Sequence, residues 1–147
     1  MPGNSVDYED DFYAWTVEQV RLLRCGELSA IDIANIAEEI ESMGRSDLRA
    51  IESRLTVLLT HLLKRQAQPD ARSVSWSGTI REQRRQIERL LRESPSLRPY
   101  VAAALAEAYR NAREDAAEEV GLSETAFPAE CPFTPEEVLS RGFLPMP

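Results

Sequence analysis

The chain has 147 residues, of which 43% are hydrophobic, and its formal net charge is −8. This size suits one domain with one sizeable core over residues 1–147, and the acidic charge argues against nonspecific attraction to DNA or to an anionic membrane surface. The acidic start of the chain, its short apolar stretches and its two cysteines predict a cytoplasmic protein with reduced thiols and no membrane helix.

Helical periodicity recurs along the chain and strand alternation does not, which predicts an all-α fold. The apolar side chains of residues 10–24 fall on one helical face, and Gly26 is placed to end this first helix in a left-handed turn. A second helix begins near Ser29 and should end at Gly44. Its apolar stripe consists of Ile33, Ile36, Ile40 and Met43.

The third helix has the clearest pattern. It begins after Ser46 and runs to about Gln66, because leucine and isoleucine recur at spacings of three and four residues. Pro69 closes this helix, and a polar loop leads to a fourth helix over residues 76–93. The fourth helix has an apolar side and a charged side.

A single turn at residues 94–97 precedes a fifth helix, which extends over residues 99–120 and should stop at Gly121. Its inward face is mostly alanine, so a neighbouring helix can approach it closely. This helix is therefore expected to be central or tightly packed.

Five of the nine prolines lie in the last twenty residues, so the tail over residues 122–147 cannot be a long helix. Thr134 and the proline after it nevertheless predict a short sixth helix. The sequence thus predicts a single-domain helical bundle of about five main helices plus a short C-terminal helix. The proline-rich tail should pack on the bundle, and residues 1–8 are expected to be flexible.

Most recognisable enzyme motifs are absent. The chain has no phosphate-binding glycine loop, no dinucleotide fingerprint and no nucleophile elbow. Its single histidine, His61, excludes sites that need two histidines, such as those of zinc proteases and di-iron bundles. We therefore predict no cofactor and no metal, and a non-enzymatic role is favoured.

One polar cluster, made of Glu38, Glu39, Glu41 and His61, allows two interpretations. At about 100° per residue, Glu39 and Glu41 lie on opposite flanks of the isoleucine stripe and Glu38 points away from it. The functional interpretation is a pocket in which Glu39 or Glu41 faces His61 and holds a divalent cation or performs acid–base chemistry. The interpretation that the geometry favours is a solvated face with salt bridges.

The fourth helix carries a basic stripe consisting of Arg81, Arg85, Arg89 and Arg92. Such a stripe could follow the phosphates of a nucleic acid or face an acidic partner. Glutamates on the same helix and the acidic remainder of the chain oppose nucleic-acid binding. We therefore favour an internal role, in which this helix matches acidic helices of the same chain.

The chain contains, in this order, the strings EEIESMGRSD, HLLK, QP, SW, TIREQRRQIERLL, SPSL, AYRNA and FPAECPFTPEEVL. This ordered set resembles the bacterial family called domain of unknown function 29, from about Tyr8 to Leu144. The chain departs from the family's pattern at Arg65 and Ala67, where aromatic residues are expected. The resemblance implies a bacterial protein and assigns no activity.

These observations predict a non-catalytic helical interaction or assembly module of a bacterial cytoplasm. Its partner is an unknown protein or a second copy, with the alanine-rich or arginine-bearing helix as the surface of a homodimer. Two alternatives stay open. One is a small metal-binding or hydrolytic protein that uses carboxylates and histidine, and the other is a nucleic-acid binder that uses the fourth helix.

Overall fold

The computed structural model describes residues 6–71 and 74–147, and within them it contains five α-helices, four 3₁₀ turns and no strand. The all-α prediction is therefore confirmed. The chain divides into two compact units, Met1–Arg45 and Ser46–Pro147. The expectation of one domain stays a prediction. Of the residues expected to be flexible at the start of the chain, residues 1–5 lie outside the described part.

The first unit is a hairpin of two helices, α1 (Phe12–Arg24) and the opening turns of α2 (Ile33–Ala67). The Asp11 carboxylate accepts a hydrogen bond from a backbone N–H in the first turn of α1, which explains where this helix begins. The helix ends at a left-handed glycine, Gly26, whose φ is 73°, as predicted. A 3₁₀ turn, Leu28–Ala30, leads to the second helix of the hairpin.

Helix α2 is continuous over 35 residues, so the helix end predicted at Gly44 and the new start predicted after Ser46 are wrong. Gly44 is absent from the glycines of positive φ among the described residues. A glycine inside a helix costs only about 1 kcal/mol relative to alanine, and residues 44–46 contain no proline to break the hydrogen-bond ladder. Good helix formers on both sides offset this cost.

The second unit packs the rest of α2 with α3 (Val74–Glu93), α4 (Arg98–Val120) and α5 (Pro135–Leu139). A 3₁₀ turn, Pro95–Leu97, joins α3 to α4 where the sequence predicts a single turn. The core is one continuous apolar cluster, to which the leucine stripe of α2 contributes most of the fully buried side chains. These are Ile51, Leu55, Leu58, Leu59, Leu62, Leu63, Ile87 and Val138.

The alanine-rich face of α4 lies inside this core. Ala108, Ala112 and Ala116 have no exposed surface, and Gly121 ends the helix with a φ of 73°, as predicted. These alanines belong to the same apolar cluster as the leucine stripe of α2. These alanines are therefore occupied within the second unit and are not free to contact another molecule.

The proline-rich tail is held to the second unit by apolar side chains. Phe127 and Phe133 are buried, and the rings of Phe133 and Phe143 pack edge to face with centroids 5.7 Å apart. Helix α5 begins with a capping box, in which the side chains of Thr134 and Glu137 each accept a hydrogen bond from the other residue's backbone.

Candidate interaction surface

A polar network centred on Asp32 holds the two helices of the hairpin together. Trp15 Nε1 donates to the Asp32 carboxylate over 3.0 Å, and the Asp32 backbone N–H donates to Gln19 Oε1 over 2.7 Å. Asn35 Nδ2 adds a hydrogen bond of 2.8 Å to the same carboxylate. The hydrogen bonds from Asn35 and Trp15 lower the pKa of Asp32, although partial burial opposes them.

Tyr8, which precedes α1, extends this network beyond the N-terminal end of that helix. Its hydroxyl donates a hydrogen bond to the Glu39 carboxylate, and its ring packs edge-on against Trp15 and Phe12. The hydrogen bond to Glu39, followed by desolvation, raises the pKa of Tyr8 to about 12. Because Tyr8 reaches Glu39 while Trp15 reaches Asp32, the two helices run antiparallel.

This network is not predicted from the sequence. The sequence pattern predicts the start of the second helix at Ser29, whereas in the structure Ser29 lies in a 3₁₀ turn and Asp32 directly precedes α2. Asp32 fills the capping position because its Oδ1 accepts a hydrogen bond, 3.4 Å long, from the backbone N–H of Asn35. The sequence feature that could have predicted the network is the pair Trp15 and Gln19, which share one face of α1. A buried indole N–H usually has a hydrogen-bond partner.

A second face of the hairpin is apolar and exposed. It carries eight large apolar side chains, each between 43% and 77% exposed. In the same unit, only Trp15, Gln19 and Leu22 are buried among the described residues. We call this the apolar face. It consists of Phe12, Tyr13, Val17, Val20, Leu23, Ile33, Ile40 and Met43.

Helical geometry places both halves of the apolar face on one side of the hairpin. Counted forward along the chain at about 100° per residue, the exposed stripe of α1 is centred about 110° from the mean direction of Trp15 and Gln19. The stripe of α2 is centred about 80° in the same sense from Asp32 and Glu39. In two antiparallel helices, rotations of the same sense from the contact direction point to the same side.

The predicted polar cluster is distributed over separate contacts. Glu38 and Glu41 both pair with Arg45, at 3.1 and 3.5 Å, on exposed surface, while Glu39 accepts from Tyr8. His61 belongs to the second unit, and its Nδ1 lies 2.9 Å from the Val57 carbonyl oxygen. The structure as described contains no group of three or more His, Cys, Asp or Glu side chains that could hold a metal ion. Shared chemistry among the four predicted residues stays a prediction.

The predicted basic stripe is partly neutralised on its own helix. Arg85 pairs with Glu82 over 2.9 Å, and Arg89 pairs with Glu93 over 3.0 Å. The other two members of the stripe, Arg81 and Arg92, form no salt bridge within residues 6–71 and 74–147. The charge of Arg92 nevertheless helps to lower the pKa of Glu88.

A neighbouring arginine, which the stripe does not include, is buried. Arg84 is only 4% exposed, and its guanidinium donates to three backbone carbonyls of the tail. The donor–acceptor distances are 2.8 Å to Val138, 3.4 Å to Arg141 and 2.7 Å to Phe143. Burial lowers the pKa of Arg84, because water no longer solvates its charge well. Arg84 thus holds the tail against α3.

Residues 8–144 match the family model described as Domain of unknown function DUF29. The chain belongs to this family. No curated protein and no solved structure matches the DUF29 chain. Its helices, so far as the structure describes them, are all too short or too polar to cross a bilayer. The family description assigns no activity.

Proposed function

We propose that this DUF29 protein is a non-catalytic assembly module that pairs with a second copy of itself through the apolar face. The observation that carries the proposal is the placement of eight exposed apolar side chains on one side of the hairpin. Soluble chains rarely leave contiguous apolar surface of this kind in water unless it is an interaction site.

The area of the apolar face suits a dimer. With 43–77% of each side chain exposed, the eight residues contribute roughly 100 Å² each and about 800 Å² together. A standard protein–protein interface buries about 800 Å² on each partner. The apolar face alone therefore supplies about the area that a stable dimer needs.

A second copy is favoured because two helices form only one layer. A helical layer is stable when its apolar side packs on another layer, and two antiparallel hairpins stacked face to face make a four-helix bundle. In a dimer with a two-fold axis, the apolar face of one copy packs on the apolar face of the other, so no separate complementary surface is required.

The charge of the hairpin predicts how salt affects this dimer. Residues 1–45 hold ten acidic and three basic side chains, a net charge of −7, and the pairs Glu18–Arg21 and Glu38–Arg45 lie off the apolar face. Two copies repel each other through this charge, and salt screens the repulsion. Dimerisation should therefore strengthen as salt rises, whereas binding to a basic partner would weaken.

Analytical ultracentrifugation of the full chain at low and high salt tests the proposal. We expect a species of twice the chain mass of 16.6 kDa, with a lower dissociation constant at high salt. Val20→Glu or Ile40→Glu would bury an unpaired carboxylate in the interface and should weaken the dimer at least about 100-fold. Leu122→Glu is the matched control, since Leu122 is an exposed leucine in the second unit.

Two outcomes would contradict dimerisation through this face. One is a chain that stays monomeric at about 100 μM in high salt, well above the micromolar range of standard interfaces. The other is a dimer that Leu122→Glu weakens as strongly as Val20→Glu does.

We further propose that this module works in a bacterial cytoplasm. Cys25 is exposed and Cys131 is half-buried, and both are free thiols. Free thiols suit a reducing compartment, in which disulfides rarely persist. The ordered sequence strings that resemble a bacterial family support the bacterial part of the proposal.

A further inference from the structure

The second unit contains a small cavity whose described lining is entirely arginine. Its volume is about 170 Å³, and Arg81, Arg84, Arg85 and Arg141 surround it. Three of these side chains come from α3 and the fourth follows α5 in the tail. Arg84 positions the tail that carries Arg141, because it donates to the Arg141 carbonyl oxygen.

Two of the four positive charges have carboxylate partners and two do not. Arg85 pairs with Glu82 over 2.9 Å, and Arg141 pairs with Glu88 over 2.8 Å. Arg84 donates hydrogen bonds only to neutral carbonyl groups. Arg81 forms no salt bridge among the described residues. The cavity therefore keeps an excess of about two positive charges after its ion pairs are counted.

The uncompensated charge of Arg84 is costly because the side chain is nearly fully buried. Buried charges in folded proteins are normally paired with an opposite charge. A guanidinium has five N–H donors, and three hydrogen bonds to the tail leave two of them for another acceptor. Arg84, which lines the cavity, thus has two N–H groups and a positive charge that no carboxylate of the described residues compensates.

We infer that this cavity binds a phosphate group, carried by inorganic phosphate or by a small phosphomonoester. A phosphate monoester carries about −1.5 to −2 charges near neutral pH, which matches the excess of positive charge. The planar fork of arginine also suits phosphate oxygens better than the point charge of lysine does.

The structure favours a small phosphate over a nucleic acid. A nucleic-acid surface needs a continuous row of free cations that follows successive phosphates. Arg89, in the middle of the basic stripe, is neutralised by Glu93, and the whole chain carries −8. The arginine cavity, which opens to solvent, instead brings the uncompensated positive charges together in one place.

Isothermal titration calorimetry of the full chain tests this inference. The probes are inorganic phosphate and glycerol 3-phosphate, each compared with sodium chloride at the same ionic strength. We expect saturable binding of phosphate, and Arg81→Gln should weaken it by about tenfold or more through loss of a charged hydrogen-bond donor. Arg141→Gln should weaken it as well.

The matched control is Arg92→Gln. Arg92 is an exposed arginine of the same helix, it is not among the residues that line the cavity, and its replacement changes the net charge equally. We expect this variant to bind phosphate within about twofold of the parent chain, apart from a small long-range effect. Circular dichroism confirms that each variant is folded.

Each result decides the inference. Binding of both probes supports a phosphomonoester site, and binding of inorganic phosphate alone supports a site for the free ion. Absence of saturable binding up to about 10 mM, or equal weakening by Arg81→Gln and Arg92→Gln, would overturn it. Binding of a short oligonucleotide without binding of either small probe would overturn it in favour of a nucleic-acid surface.

Discussion

Replacement of Arg84 tests how the tail is held against α3. The informative substitution is Arg84→Met, because it removes the hydrogen bonds of Arg84. Methionine keeps much of the side chain's apolar volume and removes every donor. A hydrogen bond from a charged donor contributes about 1.5–3 kcal/mol to the free energy of unfolding. Desolvation of the buried cation offsets several kcal/mol of what the three hydrogen bonds of Arg84 contribute together. The lowered pKa of Arg84 has this same desolvation as its cause.

The net loss should come mainly from one acceptor. Residues 141 and 143 lie in a partly exposed segment, so their carbonyls can bond to water once Arg84 is gone. Val138 is fully buried, and its carbonyl oxygen would lose its bond from Arg84 in a site from which water is excluded. An unsatisfied buried acceptor costs about 1–3 kcal/mol, so we expect a total loss of about 3 kcal/mol.

Urea denaturation measures this loss, and limited proteolysis of the tail provides an independent readout. Arg84→Lys should be intermediate, because an ammonium keeps the charge but cannot fork to three carbonyls. Arg92→Met, on the exposed side of the same helix, should stay within about 0.5 kcal/mol of the parent chain. If Arg84→Met also stays within about 1 kcal/mol and the tail resists protease, then Arg84 does not hold the tail.

Two further predictions test the hairpin and its helices. Gly44→Ala should stabilise the chain by about 0.5–1 kcal/mol in urea melts, because the added Cβ meets no atom within 4 Å. Gly121→Ala should destabilise the chain, because the φ of this residue is 73° and alanine disfavours that conformation. If Gly44→Ala destabilised the chain more than Gly121→Ala does, the result would indicate that a helix ends at Gly44. In a spectrophotometric titration, Tyr8→Phe should remove a phenol that ionises near pH 12 rather than 10.0, and loss of amplitude near pH 10 would disprove the bond to Glu39. The raised pKa means that this bond supports the fold below pH 10 and is lost as pH rises through 12.

Local sequence signals account for most of the secondary structure. The left-handed turns at Gly26 and Gly121 and the capping box at Thr134 depend on a few adjacent residues, so they could be predicted. The error at Gly44 has the same origin. A glycine that ends a helix and a glycine inside one look alike locally, and the difference depends on whether the chain on both sides gains more by continuing the helix.

The candidate sites were harder to predict, because they depend on contacts between distant residues. Arg84 sits among five arginines within residues 81–92, and only the carbonyls of residues 138–143 distinguish it from its exposed neighbours. Part of the apolar face can be predicted, because the apolar side chains of α1 and the isoleucine stripe of α2 recur with helical periodicity. Sequence periodicity shows that a stripe exists, but it does not show whether the stripe is buried within the chain.

The hairpin explains why these two stripes remain outside. Hydrogen bonds and one buried tryptophan join its helices, with Asp32 bound by Trp15 and Asn35 and with Tyr8 bound to Glu39. Hydrogen bonds contribute little net stability but fix geometry, because each donor must meet its acceptor at one distance and angle. The polar network therefore sets the antiparallel pairing of the helices, and their apolar side chains stay available for another layer. If that layer is a second copy, assembly completes the core that the hairpin lacks, and the stability of the first unit becomes linked to protein concentration.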